Sequence, residues 1–175
     1  MSIAGVEEPI ARRHRRDEFD CGVAELNEYL ALYARQNHEA GGAKTFVAVS
    51  PSKPASILGF YSISPGAIDF SQVPAALTRG LGRYEVPVFR LGRLAVDRTL
   101  QGDGLGADLL FAAGVRALSV ATQVGGVALA IDAKDARAAT WYGRFGAVKL
   151  LDDPLKLILP LNTIAAAIAA ARKKP

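Results

Sequence analysis

Three glycines at alternate positions, in Gln101-Gly102-Asp103-Gly104-Leu105-Gly106, carry the spacing in this 175-residue chain that speaks most directly of chemistry. They follow an apolar run ending at Val96 and open a stretch that reads as helix. The first amides of a helix have no partner within it, and the helix dipole adds positive potential. An anion therefore binds there without any charged side chain. Glycine lets a phosphate approach the backbone and tolerates torsions that a side chain forbids. No Gly-Lys-Ser/Thr follows, so the run is not a P-loop, and its spacing is not the G-x-G-x-x-G of a dinucleotide fold. The strand before it also comes after two hairpin-like strands, not at the head of a βαβ unit. Two readings remain: a phosphate site at a helix start, or a structural turn.

Charge narrows the partners. The chain carries 21 Lys and Arg against 17 Asp and Glu, a net charge of +4. The positive residues cluster as Arg12, Arg13, Arg15 and Arg16, as Arg79, Arg83, Arg90 and Arg93, and as Arg172, Lys173 and Lys174. Each cluster alone reads equally well as solvated surface; three of them beside an anion site point to a polyanionic partner. Cys21 stands alone, and His14 and His38 have no metal-ligand spacing, so neither a disulfide framework nor a metal site is expected. No run of about 18 uncharged apolar residues is present, so no membrane span is expected. Met1 to Asp20 hold arginines with no apolar run after them, unlike a secretory signal. A cytoplasmic, metal-free protein is the expectation.

The elements that must position these residues read as a mixed α/β single domain without repeats or linkers. Asp20 is expected to cap a helix from about 23 to 38, with Leu26, Leu30 and Tyr33, and Tyr29 beside them, on its buried face. Gly41-Gly42 stops it. Strands are expected at 44–50 and 56–64, joined by a turn at 51–54, and residues 71–85 read as loop. A long strand at 86–96 leads to the glycine run and a helix from 104 to about 122, whose apolar residues include Leu105, Leu109, Ala112, Val115, Ala117 and Leu118. Residues 126–133 are so apolar that they form a central strand. A short helix at 136–145, a strand at 155–161 and an alanine-rich helix capped by Asn162 complete the order. The domain is expected to occupy 1–161, with 162–175 as a basic tail.

In this setting the glycine run resembles the R/Q-x-x-G-x-G/A acetyl-CoA motif of the GNAT-superfamily acetyltransferases. Leu91-Gly92-Arg93-Leu94-Ala95-Val96-Asp97 looks like their central strand, and Trp141-Tyr142-Gly143-Arg144-Phe145-Gly146 like their closing F-Y-x-x-F-G-F element. The resemblance narrows at Phe19-Asp20-Cys21-Gly22, Leu26-Asn27-Glu28-Tyr29-Leu30, Thr45-Phe46-Val47, Gly59-Phe60-Tyr61-Ser62 and Leu159-Pro160-Leu161. These are similar to the GNAT toxins of bacterial toxin–antitoxin modules, over roughly residues 8 to 161. Ala147 departs from the pattern where the family has its last Phe, and the tail from Asn162 extends beyond the family's usual end.

The resemblance implies a mixed, mostly antiparallel sheet with a splayed central strand flanked by helices. It implies acetyl-CoA as cosubstrate, aminoacyl-tRNA as acceptor, a ribbon-helix-helix antitoxin as partner, and a homodimer. Carried over by motif, the cofactor contacts are Leu94, Ala95 and Val96, the run Gln101, Gly102, Asp103, Gly104, Leu105 and Gly106, and Asp135 and Phe145. Tyr142 is the implied general acid: a phenol of reference pKa about 10 stays protonated at neutral pH and can protonate a departing thiolate. Arg35, Lys44, Arg90 and Arg93 are the candidate tRNA contacts. Glu85, Asp97 and Asp135 are possible bases by position only. An α-amine, with reference pKa of about 8, is already partly neutral and needs a base less than a lysine does. Two other functions fit the same residues: acetylation of a small amine or a protein N-terminus, and a non-catalytic CoA-binding component of a DNA-bound complex.

Overall fold

The structure is a computed structural model that describes residues 6–173; Lys174 of the terminal basic group lies outside them. The chain divides into two compact units, Met1–Ser64 with Gly92–Ala113, and Pro65–Leu91 with Gly114–Pro175.

The first unit is a sheet covered by helix. Strand β1 (Val6–Pro9) pairs antiparallel with β2 (Lys44–Ser50), and β2 pairs antiparallel with β3 (Lys53–Ile68). The second half of β4 (Val86–Val96) continues this sheet, Asp97 N donating to Leu58 O at its end. Helix α1 (Ala24–Glu28), a π turn (Tyr29–Tyr33) and α2 (Ala34–Ala40) form one continuous helical segment. Tyr29, Leu30 and Ala34 pack with Val47, Val49, Phe60 and Ala95. The π turn corrects the expected buried face. It adds a residue to one turn and rotates the helix beyond it, so Ala34 enters the core while Tyr33 is 54% exposed. Leu30 is fully buried, so Leu30→Ala is expected to cost about 2–5 kcal/mol by chemical denaturation. Tyr33→Ala should stay within about 0.5 kcal/mol.

Local chemistry also revises the helix start. Val23, not Asp20, occupies the cap position, and no side chain caps it. Asp20 instead accepts from Gly22 N and Asn27 Nδ2 and pairs with Arg98 at 3.2 Å. The hydrogen bonds from Asn27 and Gly22 hold its carboxyl below the usual range. Strand β1 is clipped by His14, whose Nδ1 accepts from Ala11 N at 2.9 Å, so Nε2 donates to Glu8 Oε1 at 2.7 Å.

In the second unit the first half of β4 pairs in parallel with β5 (Ala128–Asp132), from Val88↔Ala128 to Leu91↔Ile131. Strand β7 (Lys156–Pro160) pairs antiparallel with β5, and β6 (Val148–Lys149) with β7. Ile68, Val86, Val88, Ala128, Ala130 and Ile158 form its core, covered by Phe70, Leu77 and Leu81 of the 69–85 loop. That loop contains two single 3-10 turns, Phe70–Gln72 and Ala75–Leu77. Helix α4 is Ala136–Gly143, and α5, Leu161–Arg172, is the alanine-rich tail. Pro160 stands at the cap of α5, leaving Asn162 inside the first turn, so the expected Asn cap is not formed.

Helix α3 (Leu105–Val124) runs through both sections of sequence. It buries Leu109, Leu110, Ala113 and Ala117, whereas Val115 is 42% exposed. The helix is long and apolar enough to cross a membrane by length and composition alone. It carries Asp108 and Arg116 within that length.

Candidate active site

The glycine run forms a turn that opens α3, in the first unit. Gly102 and Gly104 both sit at φ +90°, in the left-handed region, with nothing within 4 Å of where a Cβ would stand. Glycine is required here for its torsion and not for room. Gly104 O accepts from Asp108 N at 3.1 Å, which closes the first turn of α3. The amides of Leu105, Gly106 and Ala107 therefore have no partner within the helix. Gly106 is not among the positive-φ glycines and belongs to α3 itself. Asp103 is exposed, and Leu105 is half-buried against Gly59.

Gln101 anchors this turn. Its Nε2 donates to Cys21 O at 2.9 Å and to Val96 O at 3.0 Å. The side-chain amide thus holds the loop to the strand, and the Val96 carbonyl is already engaged. Strand β4 continues through Gly92, Arg93, Leu94, Ala95 and Val96, beyond its last partner on β5, Leu91↔Ile131.

Asp97 spends its carboxylate on the turn before the glycines. It accepts from Thr99 N and Oγ1 on Oδ1 and from Asp20 N on Oδ2. Its pKa is lowered: burial raises it, and the Thr99 and Asp20 hydrogen bonds outweigh that. A carboxylate so engaged is a poor base.

The basic residues are each held by their own protein. Arg93 lies over the Tyr29 ring, 3.6 Å from its centroid, and Asn37 Nδ2 donates to the Tyr29 hydroxyl at 3.2 Å. Arg35 pairs with Glu39 at 2.7 Å, and Lys44 Nζ donates to His38 O at 2.9 Å. His38 Nδ1 accepts from Thr45 N, and burial with nearby Lys44 pushes its pKa down. Helix and strand thus bring Arg35, Lys44 and Arg93 into the first unit, while Arg90 belongs to the second.

In the second unit, Tyr142 sits on α4 with its ring edge-on to Trp141, centroids 4.9 Å apart, and Trp141 meets Phe145 at 4.8 Å. Asp135, by contrast, is the N-cap of α4 and accepts from Ala138 N at 2.8 Å. The Tyr142 side chain is buried, with 9% of the residue exposed, and no hydrogen bond to its hydroxyl forms among the described residues. Burial pushes its pKa up to about 12. The neutral phenol is the form the fold prefers, against an unfolded value of about 10. The associated stability is present below about pH 10 and lost as pH rises toward 12. In a spectrophotometric alkaline titration, Tyr142→Phe should remove a tyrosinate phase that lies above the ordinary tyrosine range.

Sequence reasoning missed Asp132, at the carboxyl end of β5, which lines a cavity with Arg90 and Lys156. No motif marks it. Its only sequence signal is a lone carboxylate ending an apolar strand. Glu85 lines a neighbouring, larger cleft.

No protein-family model matches the chain. A relative from Mycobacterium tuberculosis described as a tRNA-acetylating toxin is 34% identical over 150 residues, covering 86% of this chain and 88% of the relative. A solved structure of a Tyr-to-Phe mutant of KacT superposes with a TM-score of 0.87 at 25% identity, covering 93% of this chain and 98% of that one. AtaTR bound with AcCoA superposes with a TM-score of 0.79 at 25% identity, covering 93% and 97%. With a relative so similar along nearly its whole length, and with the glycine turn and mixed sheet of the acetyltransferases in place, the chain belongs to the GNAT toxins of bacterial toxin–antitoxin modules.

Proposed function

We propose that this protein transfers an acetyl group from acetyl-CoA to the α-amino group of aminoacyl-tRNA, and so acts as a toxin that blocks translation. The observation that carries this reading is the 34% identity to a tRNA-acetylating toxin over 86% of the chain. The glycine turn supports it independently. Two glycines at φ +90° lead into three amides with no partner within the helix, which suits a pyrophosphate.

In this reaction Gln101 fixes the turn, the amides of Leu105 and Gly106 receive the cofactor's phosphates, and Gly102 and Gly104 supply the torsions. Leu94 and Ala95 offer backbone groups to the pantetheine, with Val96 contributing through its amide. The amine nitrogen attacks the thioester carbonyl carbon, the C–S bond breaks, and Tyr142 gives its proton to the departing thiolate. A buried phenol is suited to that step, because it holds its proton at neutral pH and no competing acceptor claims it. An α-amine of pKa about 8 is partly neutral before binding; the proton its nitrogen sheds as the amide forms passes to water, and water restores the Tyr142 phenol. Arg35, Lys44 and Arg93 are proposed to meet tRNA phosphates. Asp103, Asp135 and Phe145 remain proposed cofactor neighbours, Asp135 through the helix start it caps.

The neutralising partner is proposed to be a ribbon-helix-helix antitoxin, the active form a homodimer, and the compartment the cytoplasm. The catalytic domain is proposed to span 1–161. The test is transfer of labelled acetyl from acetyl-CoA in a mixture of charged tRNA, deacylated tRNA, free amino acids and a lysine-rich protein. Label confined to charged tRNA supports the reading; equal label on free amines or lysines overturns it.

A further inference from the structure

The second unit holds two adjoining cavities that share Asp69. The inner one, about 90 Å³, lies against the sheet face at Arg90 of β4 and at the carboxyl end of β5. The register explains its lining. Arg90 stands opposite Ala130, and Asp132 opposite Lys156, so Arg90, Asp132 and Lys156 lie on one sheet face.

The loop forming its other wall is held in place. Arg90 Nη2 donates to Ala67 O at 3.2 Å, Gln72 Nε2 donates to Asp152 Oδ2 at 2.6 Å, and Leu151 N donates to Gln72 O at 2.9 Å. Asp69 spends Oδ1 on Ser71, which lowers its pKa. Of the inner cavity's two carboxylates, the exposed Asp132 is the one with no hydrogen bond or ion pair among the described residues. At roughly 30 Å³ per water, the volume takes a few heavy atoms and no whole ligand.

The outer cleft, about 520 Å³, is lined by Asp69, Phe70, Arg83, Tyr84 and Glu85. Its volume lies within the range of sites for small ligands, about 300–1,000 Å³. Tyr84 is 83% exposed, an aromatic face left open to solvent with an arginine beside it. That pairing suits an unstacked base and its phosphate.

We propose that these cavities form the site for the 3′ aminoacyl end of charged tRNA, with Asp132 receiving the α-ammonium and Tyr84 stacking the terminal base. This rests on the proposed aminoacyl-tRNA reaction and names the residues that select its acceptor. An unpaired carboxylate attracts the free α-amine in its cationic form and has nothing to offer an N-acetylated or missing aminoacyl group. Arg90 and Lys156 offset the field of the two carboxylates, so an ammonium held there still releases its proton before attack. The same logic releases product, which has lost its charge.

The experiment measures Kd, at fixed salt and without acetyl-CoA, for amide-linked alanyl-tRNA, its N-acetylated form and deacylated tRNA. Wild-type protein is expected to bind the free-amine form about 10-fold more tightly than the N-acetylated one. Asp132→Asn should erase that ratio while leaving the deacylated tRNA affinity and the Tm unchanged. Tyr84→Ala should weaken all three tRNAs by about 10-fold and leave acetyl-CoA binding unaltered. A ratio that survives Asp132→Asn, or unchanged affinities in Tyr84→Ala, overturns the inference while the acetyl-transfer assay still supports the proposed reaction. A wild-type protein that places no acetyl on charged tRNA removes both.

Discussion

Tyr142→Phe is expected to lower kcat for acetyl transfer by about 10²–10⁴-fold, with little change in KM for acetyl-CoA. The substitution removes the phenol hydroxyl and keeps the buried ring that packs edge-on against Trp141. The hydroxyl has no hydrogen-bond partner among the described residues, so no structural bond is lost, and the Tm should hold or rise slightly. A proton donor and a packing residue therefore give opposite patterns. Loss of kcat at constant Tm marks the donor. Unaltered kcat would assign Tyr142 to the core alone, and the thiolate would then leave with a proton from water. Steady-state kinetics on charged tRNA, beside thermal melting, separate the two.

Gly104→Val is expected to raise KM for acetyl-CoA by about 10–100-fold while leaving charged tRNA affinity nearly unchanged. Gly104 sits at φ +90°, where a β-branched residue is strained by about 1–3 kcal/mol. Relief of that strain moves the turn and misdirects the free amides of Leu105 and Gly106. Space is not the issue, because a Cβ there meets nothing within 4 Å. Asp103→Ala, at an exposed position between the two left-handed glycines, is the informative contrast. Removing a negative charge beside the proposed phosphate site should leave KM unchanged or lower it modestly. Isothermal titration of acetyl-CoA into each variant checks both.

How far the chain could be read before its structure was known depends on the forces that hold each element together. Strands β2 and β4 matched the expected 44–50 and 86–96, because their apolar alternation and flanking turns are local. The glycine turn and the tail helix were legible for the same reason, whereas the mixed sheet came from the family resemblance. Strands β1 and β6, four and two residues long, were not. They exist because β2 and β7 offer open edges to pair with, and Glu8, Arg13 and His14 then pin β1. Strand β3 starts at Lys53 and runs on to Ile68, where the expectation began at 56 and ended at 64; the turn before it contracts to Pro51-Ser52. Pairing with β2 carries the strand into the expected turn.

Of the candidate site, the glycine turn was readable from spacing, since glycine torsions and helix amides are properties of a short segment. The lining of the second unit's cavities was not. Asp132 has no neighbours of interest in sequence and becomes notable only when β-sheet register sets it across from Lys156. The basic residues show the converse. Arg90 and Arg93 read as free cations, yet one secures the Ala67 carbonyl and the other stacks on Tyr29. Whatever they offer to tRNA is offered from fixed positions, which reduces the entropy cost of binding.

The central claim is that acetyl reaches the α-amine of an amino acid esterified to tRNA. Its most direct test is mass spectrometry of the 3′-terminal aminoacyl-adenosine released by nuclease after charged tRNA is incubated with the protein and acetyl-CoA. The account predicts a gain of one acetyl group on the amino acid, absent without acetyl-CoA and strongly reduced with Tyr142→Phe. Unmodified aminoacyl-adenosine, in a reaction where acetyl-CoA is consumed on another amine, would contradict it.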